Sequence, residues 1–372
     1  MQKTTIRHRI EELLSLADVR INGNRPWDIQ VHNEQLYARV VAEGSLGLGE
    51  SYRDGWWEAD QLDEFFTHIL RAALEQHFRP WKDTLSYIKA KFINLQSRSR
   101  AFQIGRRHYD IGNDLFEFML GKYKLYSCGY WKDASCLDES QEAKMNLICR
   151  KLHLKEGMQV LDIGCGWGES ARFLAERYRV EVTGVTVSEN QVHYGTEYCR
   201  GYPVKILYQD YRDLSGKYDR ILSIGMFEHV GYKNYRSFMR KIRELLKKDG
   251  LFLLHTIGNM KSKTSTDPWI DKYIFPNSLI PSAAQITRAA DGLLVIEDWH
   301  NFGTDYDKTL MAWYDNFKNH WHLLQSRYGE SFYRIWTYYL LSCAGSFRAR
   351  KNHLFQIVFS PEGVQGGYEI SR

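Results

Sequence analysis

The sequence predicts an α/β protein in two parts: a small, mainly helical N-terminal domain, then a seven-stranded, mostly parallel sheet with helices between its strands. Two changes of pattern along the 372 residues predict it. Apolar residues first recur at helical spacing and later gather in short runs separated by helical stretches. A strongly basic segment lies between the two regimes. The limits expected are residues 1–88 for the helical domain, 89–107 for a basic linker and 108–372 for the α/β domain. At roughly 150 residues per domain the length accommodates this division.

In the N-terminal part, Ile6, Ile10, Leu13, Leu14 and Ala17 keep the helical repeat, and Asn22-Gly23-Asn24 followed by Pro26 ends it. Leu62, Phe65, Phe66, Ile69, Leu70, Ala73 and Leu74 form a second apolar stripe, with Asp60 placed to cap the helix. Such a stripe is ordinarily core. The neighbouring Trp56, Trp57 and Trp81 keep a lipid-facing alternative open, because Trp favours the headgroup level of a bilayer. Between Thr84 and Tyr109 there is no acid, while Lys89, Lys91, Arg98, Arg100, Arg106 and Arg107 supply six positive charges. They exceed the net charge of +5 carried by the whole chain, which implies an anionic partner, nucleic acid or an acidic lipid surface, with a plain solvated linker as the alternative.

In the second part, strands are expected at residues 159–164, 181–187, 204–208, 220–224, 251–256, 294–299 and 355–359. A long insertion after the fifth carries Trp269, Tyr273, Phe275 and Pro276. Composition narrows the class. With 44% apolar and 26% charged residues, the chain is neither a disordered tail nor a coiled coil. No apolar run is long enough to span a bilayer, and Arg and Glu interrupt the N-terminus where a signal peptide needs its apolar core. A cytoplasmic protein is expected. Its six Cys form no CxxC pair, so no zinc or other metal site is indicated and free thiols are expected.

Val160-Leu161-Asp162-Ile163-Gly164-Cys165-Gly166-Trp167-Gly168 joins an apolar strand to a helix through a glycine-rich turn. Gly164, Gly166 and Gly168 allow a tight turn and close approach of a ligand. A dinucleotide site would have its third glycine one residue later and an acid about 20 residues on, at the end of strand two. Here Asp162 precedes the glycines, and strand two ends Gly184-Val185-Thr186-Val187. The pattern is that of a nucleoside site without phosphates, as in class I, Rossmann-like S-adenosylmethionine-dependent methyltransferases. With no acid at the end of strand two, either Glu189 or Gln191 takes over the ribose or the ribose is held otherwise.

Further polar residues fall where strand ends gather them above a sheet. Glu228 lies in GMFEHVG, His255 in LLHTIG, Cys128 in YSCGYWKD and Tyr306 in GTDYD. On these motifs, with EGSLGLGESYRDGWWE, HYDIGNDLF, DPWIDKYIFPN, EDWHNFGTDYDKTLMAWY and SCAGSFRAR, the chain resembles the cyclopropane-fatty-acyl-phospholipid synthase family over nearly its whole length. More distantly, and over its C-terminal portion, it resembles the mycolic-acid cyclopropane synthases.

The resemblance implies transfer of a methylene group from S-adenosylmethionine to the cis double bond of acyl chains in membrane phospholipids. It places the cofactor against Gly164, Gly166 and Gly168, with Tyr126 and Ser127 closing over it. Thr186 to Gln191 would serve the ribose and methionine, Tyr211 and Arg212 the adenine. It implies a bicarbonate ion held by Cys128, Glu228, His255, Tyr306 and the backbone of Ile257, and gives Cys343 a lesser claim to catalysis. It also implies a homodimer associated peripherally with the inner membrane surface.

Those residue types suit the chemistry. A double bond is a poor nucleophile and must be held in line with the sulfonium methyl. Methyl transfer leaves a carbocation, and ring closure needs a proton removed where water is excluded. Tyr126, Tyr130, Trp131 and Trp269 are placed to face the cation. A soluble-substrate methyltransferase would need neither the basic linker nor the helical domain, and no nucleic-acid-binding motif accompanies the positive charge.

Overall fold

The computed structural model of the chain describes residues 3–74 and 112–372. Trp81 and the basic segment of residues 89–107 lie outside them. The described residues divide into two compact units that interleave along the chain. One takes Met1–Ile93, Thr264–Pro276 and Tyr306–Asn352, the other Asn94–Lys263, Asn277–Asp305 and His353–Arg372. The helical unit therefore includes two segments that lie far downstream in the sequence.

Helix α1 (Lys3–Leu16) begins the first unit, burying Ile10 and Leu14. Strands β1 (Gln30–Val31) and β2 (Trp57–Glu58) pair antiparallel around α2 (Gln35–Glu43) and α3 (Ser45–Arg53). The second predicted stripe becomes α4 (Leu62–Arg71), with Leu62, Phe65, Phe66 and the following Leu74 buried. The stripe is core, and the lipid-facing alternative falls for those residues. Asp60 does not cap the helix: Gln61 holds the N-cap position without a side-chain bond. The helix also stops before Ala73, which turns to a φ of 55°.

The core of this unit is aromatic. Tyr338 packs against Tyr52, Trp57, Phe66 and Trp269 at centroid distances of 5.4, 6.5, 5.1 and 4.5 Å. Trp269, expected to face a cation, is thus a core residue. Beneath the rings, Glu50 accepts from Lys272, Arg39 and the Tyr273 hydroxyl, which hold its carboxyl at about 2. In the same unit Arg348 donates to Asp63, Glu64 and Asp307.

In the second unit a seven-stranded sheet runs in the order β5-β4-β3-β6-β7-β9-β8. Its strands are β3 (Gln159–Ile163), β4 (Glu181–Thr186), β5 (Val204–Tyr208), β6 (Tyr218–Ile224), β7 (Leu246–Gly258), β8 (Val295–Asn301) and β9 (His353–Ser360). All pairs are parallel except those of β9, which runs antiparallel to both neighbours. Alternation explains why both faces are covered. Leu161, Ile221 and Phe252 enter one apolar cluster; Val160, Leu222 and Leu253 enter the other. The strand order reverses between β3 and β6, which opens a crevice at their carboxyl ends.

The remaining helices are α5 (Asn113–Leu120), α6 (Leu137–Lys151), α7 (Glu169–Tyr178), α8 (Glu189–Tyr198), α9 (Tyr235–Leu245), α10 (Pro268–Tyr273), α11 (Ala283–Ala290) and α12 (Thr304–Arg348). Gly329 breaks α12 with φ 75°, ψ 168°.

Gly345 lets α12 and α4 approach within the first unit, because a Cβ there would lie 2.5 Å from the Asp63 carbonyl oxygen. On helix propensity alone, Gly345→Ala would gain up to about 1 kcal/mol. Overpacking against rigid backbone outweighs that gain, and a net loss of about 1–3 kcal/mol is expected. Urea unfolding of the two proteins measures it; a stabilised variant would contradict the close approach.

Candidate active site

The glycine loop after β3 turns with φ of 85° at Gly164, 58° at Gly166 and 93° at Gly168. All three lie in the left-handed region that glycine adopts without strain. Gly164 and Gly166 line a cleft at the carboxyl ends of β3, β4, β5 and β6. Tyr126, Ser127, Thr186, Gln191, Tyr211 and Arg212 line it too. Each of these is among the cofactor residues that the resemblance implies. Thr186 donates to Gln191 Oε1 at 2.6 Å, so the strand-two end presents a neutral pair where an acid was missing. Glu189 is not among the lining residues.

Asp162 and Gly168 stand outside the lining. Asp162 points to the opposite side of its strand from Ile163 and accepts the Ser170 hydroxyl, tying β3 to the start of α7. Burial raises its carboxyl to about 6. Gly168 is the residue before α7, where a Cβ would meet Cys199 Sγ at 3.0 Å.

Lys124, Glu169, Asp210 and His229 line the cleft without having been read from the sequence. Asp210 accepts from the Arg212 amide at 3.0 Å and so fixes the turn at Tyr211–Asp213. Burial alone lowers His229 to about 4, leaving it neutral.

A second cluster gathers at the ends of β6 and β7. Glu228 follows β6 in a short 3-10 turn, Phe227–His229, and accepts the Ile257 amide through Oε1 at 2.7 Å. Its Oε2 is buried and has no hydrogen-bond partner among the described residues. Ile257 therefore orients Glu228 with its N–H.

His255 lies two residues earlier on β7, hence on the same face as Ile257. Its Nδ1 faces the Gln356 amide nitrogen at 3.2 Å, across the β7–β9 register pair His255↔Gln356. Its Nε2 is buried with no partner among the described residues. Burial, Lys144 and Lys151 push its pKa well down, so the ring is neutral. With the amide donating to Nδ1, the ring proton sits on Nε2. The cluster thus offers an unpartnered donor at His255 Nε2 and unpartnered acceptors at Glu228 Oε2 and Gln356 Oε1, among the described residues and in a buried setting. A small polar molecule able both to give and to receive a proton matches them.

Cys128 is fully buried, with Sγ 3.1 Å from the Gly129 carbonyl. Phe302 links its segment to the cluster by packing on both Tyr130 and His255, at 5.3 and 6.0 Å. Behind them Lys144 is fully buried, donating to Ser127 Oγ at 2.8 Å and Gln141 Oε1 at 2.6 Å. No carboxylate pairs with it among the described residues, and burial lowers it to about 7. A single Lys or Gln inside a regular helix or strand carries no sequence signal, so neither Lys144 nor Gln356 was legible.

Tyr306 and Cys343 belong to the first unit. Tyr306 is buried against Trp313 and Phe347. Burial pushes the Cys343 thiol up to about 12, so it is no thiolate at neutral pH.

The sheet order, the glycine loop and the crevice define a class I methyltransferase fold. Coclaurine N-methyltransferase shares that fold, with a TM-score of 0.67 at 23% identity over 84% of this chain and 98% of its own. The family model for mycolic acid cyclopropane synthetase matches residues 96–357. The cyclopropane-fatty-acyl-phospholipid synthase of Escherichia coli K12 is 54% identical over 97% of this chain and 94% of its own length. Among solved structures, mycolic acid cyclopropane synthase CmaA1 complexed with SAH and CTAB is 30% identical, with a TM-score of 0.65 over 69% of this chain and 97% of its own. The chain belongs to the cyclopropane synthase family of S-adenosylmethionine-dependent enzymes.

Burial holds the Glu228 carboxyl at about 7 against an ordinary 4.5. A carboxyl raised in the folded state binds its proton more tightly there than when unfolded. It therefore costs the fold progressively more as pH rises from its ordinary value to about 7, and a constant amount above that. Glu228→Gln removes the cost while keeping an acceptor for Ile257. Without ligands, the variant should gain stability over the unsubstituted protein between about pH 5 and about pH 8, by on the order of 3 kcal/mol at most. Unfolding midpoints at both pH values measure this, and an equal difference at both would contradict it.

Proposed function

We propose that the protein builds cyclopropane rings on phospholipid acyl chains, adding one methylene across a cis double bond. The single observation that carries the reading is the buried donor and acceptor at His255 Nε2 and Glu228 Oε2, on the same sheet as a glycine-lined cleft. The 54% identical relative, named for this activity, supports the substrate class.

S-Adenosylmethionine, when bound, supplies the electrophilic methyl group. Gly164 and Gly166 would admit it close to the backbone, with Tyr126 and Ser127 above, Thr186 and Gln191 toward the ribose and methionine, and Tyr211 and Arg212 toward the adenine. Bicarbonate would supply a base at the second cluster, where His255 Nε2–H can donate to it and Glu228 Oε2 can accept its proton. Glu228 repels a nearby anion less because its raised pKa leaves it partly protonated at neutral pH. Lys144, brought to about 7 by burial, adds a partial positive charge at neutral pH, and no carboxylate pairs with it among the described residues. Cys128 belongs to the same unit and to the expected ligand set, and Ile257 acts on that set through Glu228.

The chain's own task during ring closure is to accept a proton from the newly attached methyl at that cluster and to keep water from the carbocation. Buried Tyr130 and Phe302 beside His255 serve the second need. Cys343, with its high pKa and its place beside Gly345, is read as packing. Residues 1–88 and the basic linker 89–107 are assigned to recruiting an anionic bilayer at the inner membrane surface, each cation contributing about 1 kcal/mol there. A homodimer would double that contact. No helix among the described residues is long and apolar enough to cross a membrane.

Vesicles of monounsaturated phosphatidylglycerol incubated with enzyme and S-adenosylmethionine should gain one CH2 per modified chain and then resist mild hydrogenation. Glu228→Gln and His255→Ala should each slow this by ~10²-fold or more while retaining S-adenosylhomocysteine affinity. Full-rate product from both variants would sink the proposed roles.

A further inference from the structure

Glu169 opens α7 directly after the glycine loop, and nothing in the ring-forming chemistry employs it. An acid in the first turn of a helix is ordinarily a surface residue favouring the helix dipole. This one is not on the surface. It is 6% exposed, it lines the cleft beside Gly166, Trp167 and Lys124, and its Oε1 has no hydrogen-bond partner among the described residues. Lys124 acts on it electrostatically but donates elsewhere, to the Tyr194 hydroxyl at 3.0 Å and Glu117 at 3.4 Å. Asp162 adds a second, repelling acid.

The backbone N–H of Glu169 itself bonds to the carboxyl, but a buried oxygen such as Oε1 left without a donor is costly unless the ligand brings one. The sulfonium cofactor has two cationic groups. The sulfonium centre has no N–H or O–H to donate; the α-ammonium of the methionine half has three N–H donors. Of the two, only the ammonium satisfies an unpartnered oxygen. We propose that Glu169 receives the α-ammonium of S-adenosylmethionine and so selects for the intact amino-acid end of the cofactor. The inference rests on reading this cleft as the cofactor site.

A linkage follows. In the free protein, burial holds the Glu169 carboxyl at about 8, so near neutral pH it keeps its proton. An ammonium beside it favours the ionised form, and the proton leaves to solvent as the ligand enters.

Titration calorimetry of S-adenosylhomocysteine near pH 7, in buffers of different ionisation heat, reads both affinity and proton release. A parallel titration uses the desamino analogue, which keeps the carboxylate and lacks the ammonium. The unsubstituted protein should release close to one proton on binding S-adenosylhomocysteine. Glu169→Gln should release none and bind it on the order of tenfold more weakly. The desamino analogue should bind both proteins alike, without proton release. An equal loss of affinity for both ligands in Glu169→Gln, or unchanged proton release, would overturn the assignment. Failure of S-adenosylhomocysteine to bind the unsubstituted protein would instead overturn the cofactor reading, and this inference with it.

Discussion

The hydrogen bond from the Ile257 amide to Glu228 ties the loop after β6 to the end of β7, and the second cluster depends on it. A carboxyl brought into a dry interior must be held by something, or it neutralises and wanders among rotamers. One backbone donor holds Oε1 and leaves Oε2 directed but unpartnered. His255 emerges on the same strand face with its Nδ1 engaged by Gln356, which leaves Nε2 equally committed. The two side chains are thus prepared by main-chain geometry for a molecule that bridges donor and acceptor. Preorganisation of this kind is effective because no reorientation accompanies the reaction.

Charge completes the picture. Neutral His255, neutral His229 and a partly protonated Glu228 contribute little field, and Lys144, brought to about 7 by burial, is partly charged at neutral pH with no carboxylate paired to it among the described residues. Such a site favours an anion. The glycine cleft is electrostatically different. Its lining holds the buried acid Glu169, while Asp162 lies outside the lining and accepts the Ser170 hydroxyl.

Much of this was legible in the sequence, for identifiable reasons. All seven strands were found because each is an apolar run bounded by helical stretches. The cleft glycines were found because a left-handed φ demands them in order. Asp162 was legible as part of the motif but not as a strut, since its direction depends on which face of β3 packs against α7. Gln191 and Glu189 could not be separated until helix α8 fixed which one faces the cleft. Asp60 had the right chemistry for a cap one residue too early. Glu169 reads as an ordinary helix-start acid, and Lys144 and Gln356 as single polar residues in regular elements. Their roles exist only through burial. The interleaving of the units was illegible as well, because α10 and α12 carry nothing in their sequences that says which core they join.

In the proposed reaction the proton lost on ring closure comes from the transferred methyl group and is accepted at this cluster. Incubation of monounsaturated vesicles with S-adenosylmethionine bearing a CD3 methyl group, followed by mass spectrometry of the acyl chains, tests it most directly. The account predicts a gain of CD2, one deuteron having been surrendered as the ring closed. A gain of CD3 with loss of one chain hydrogen would show a methyl branch with the double bond retained, and would contradict it.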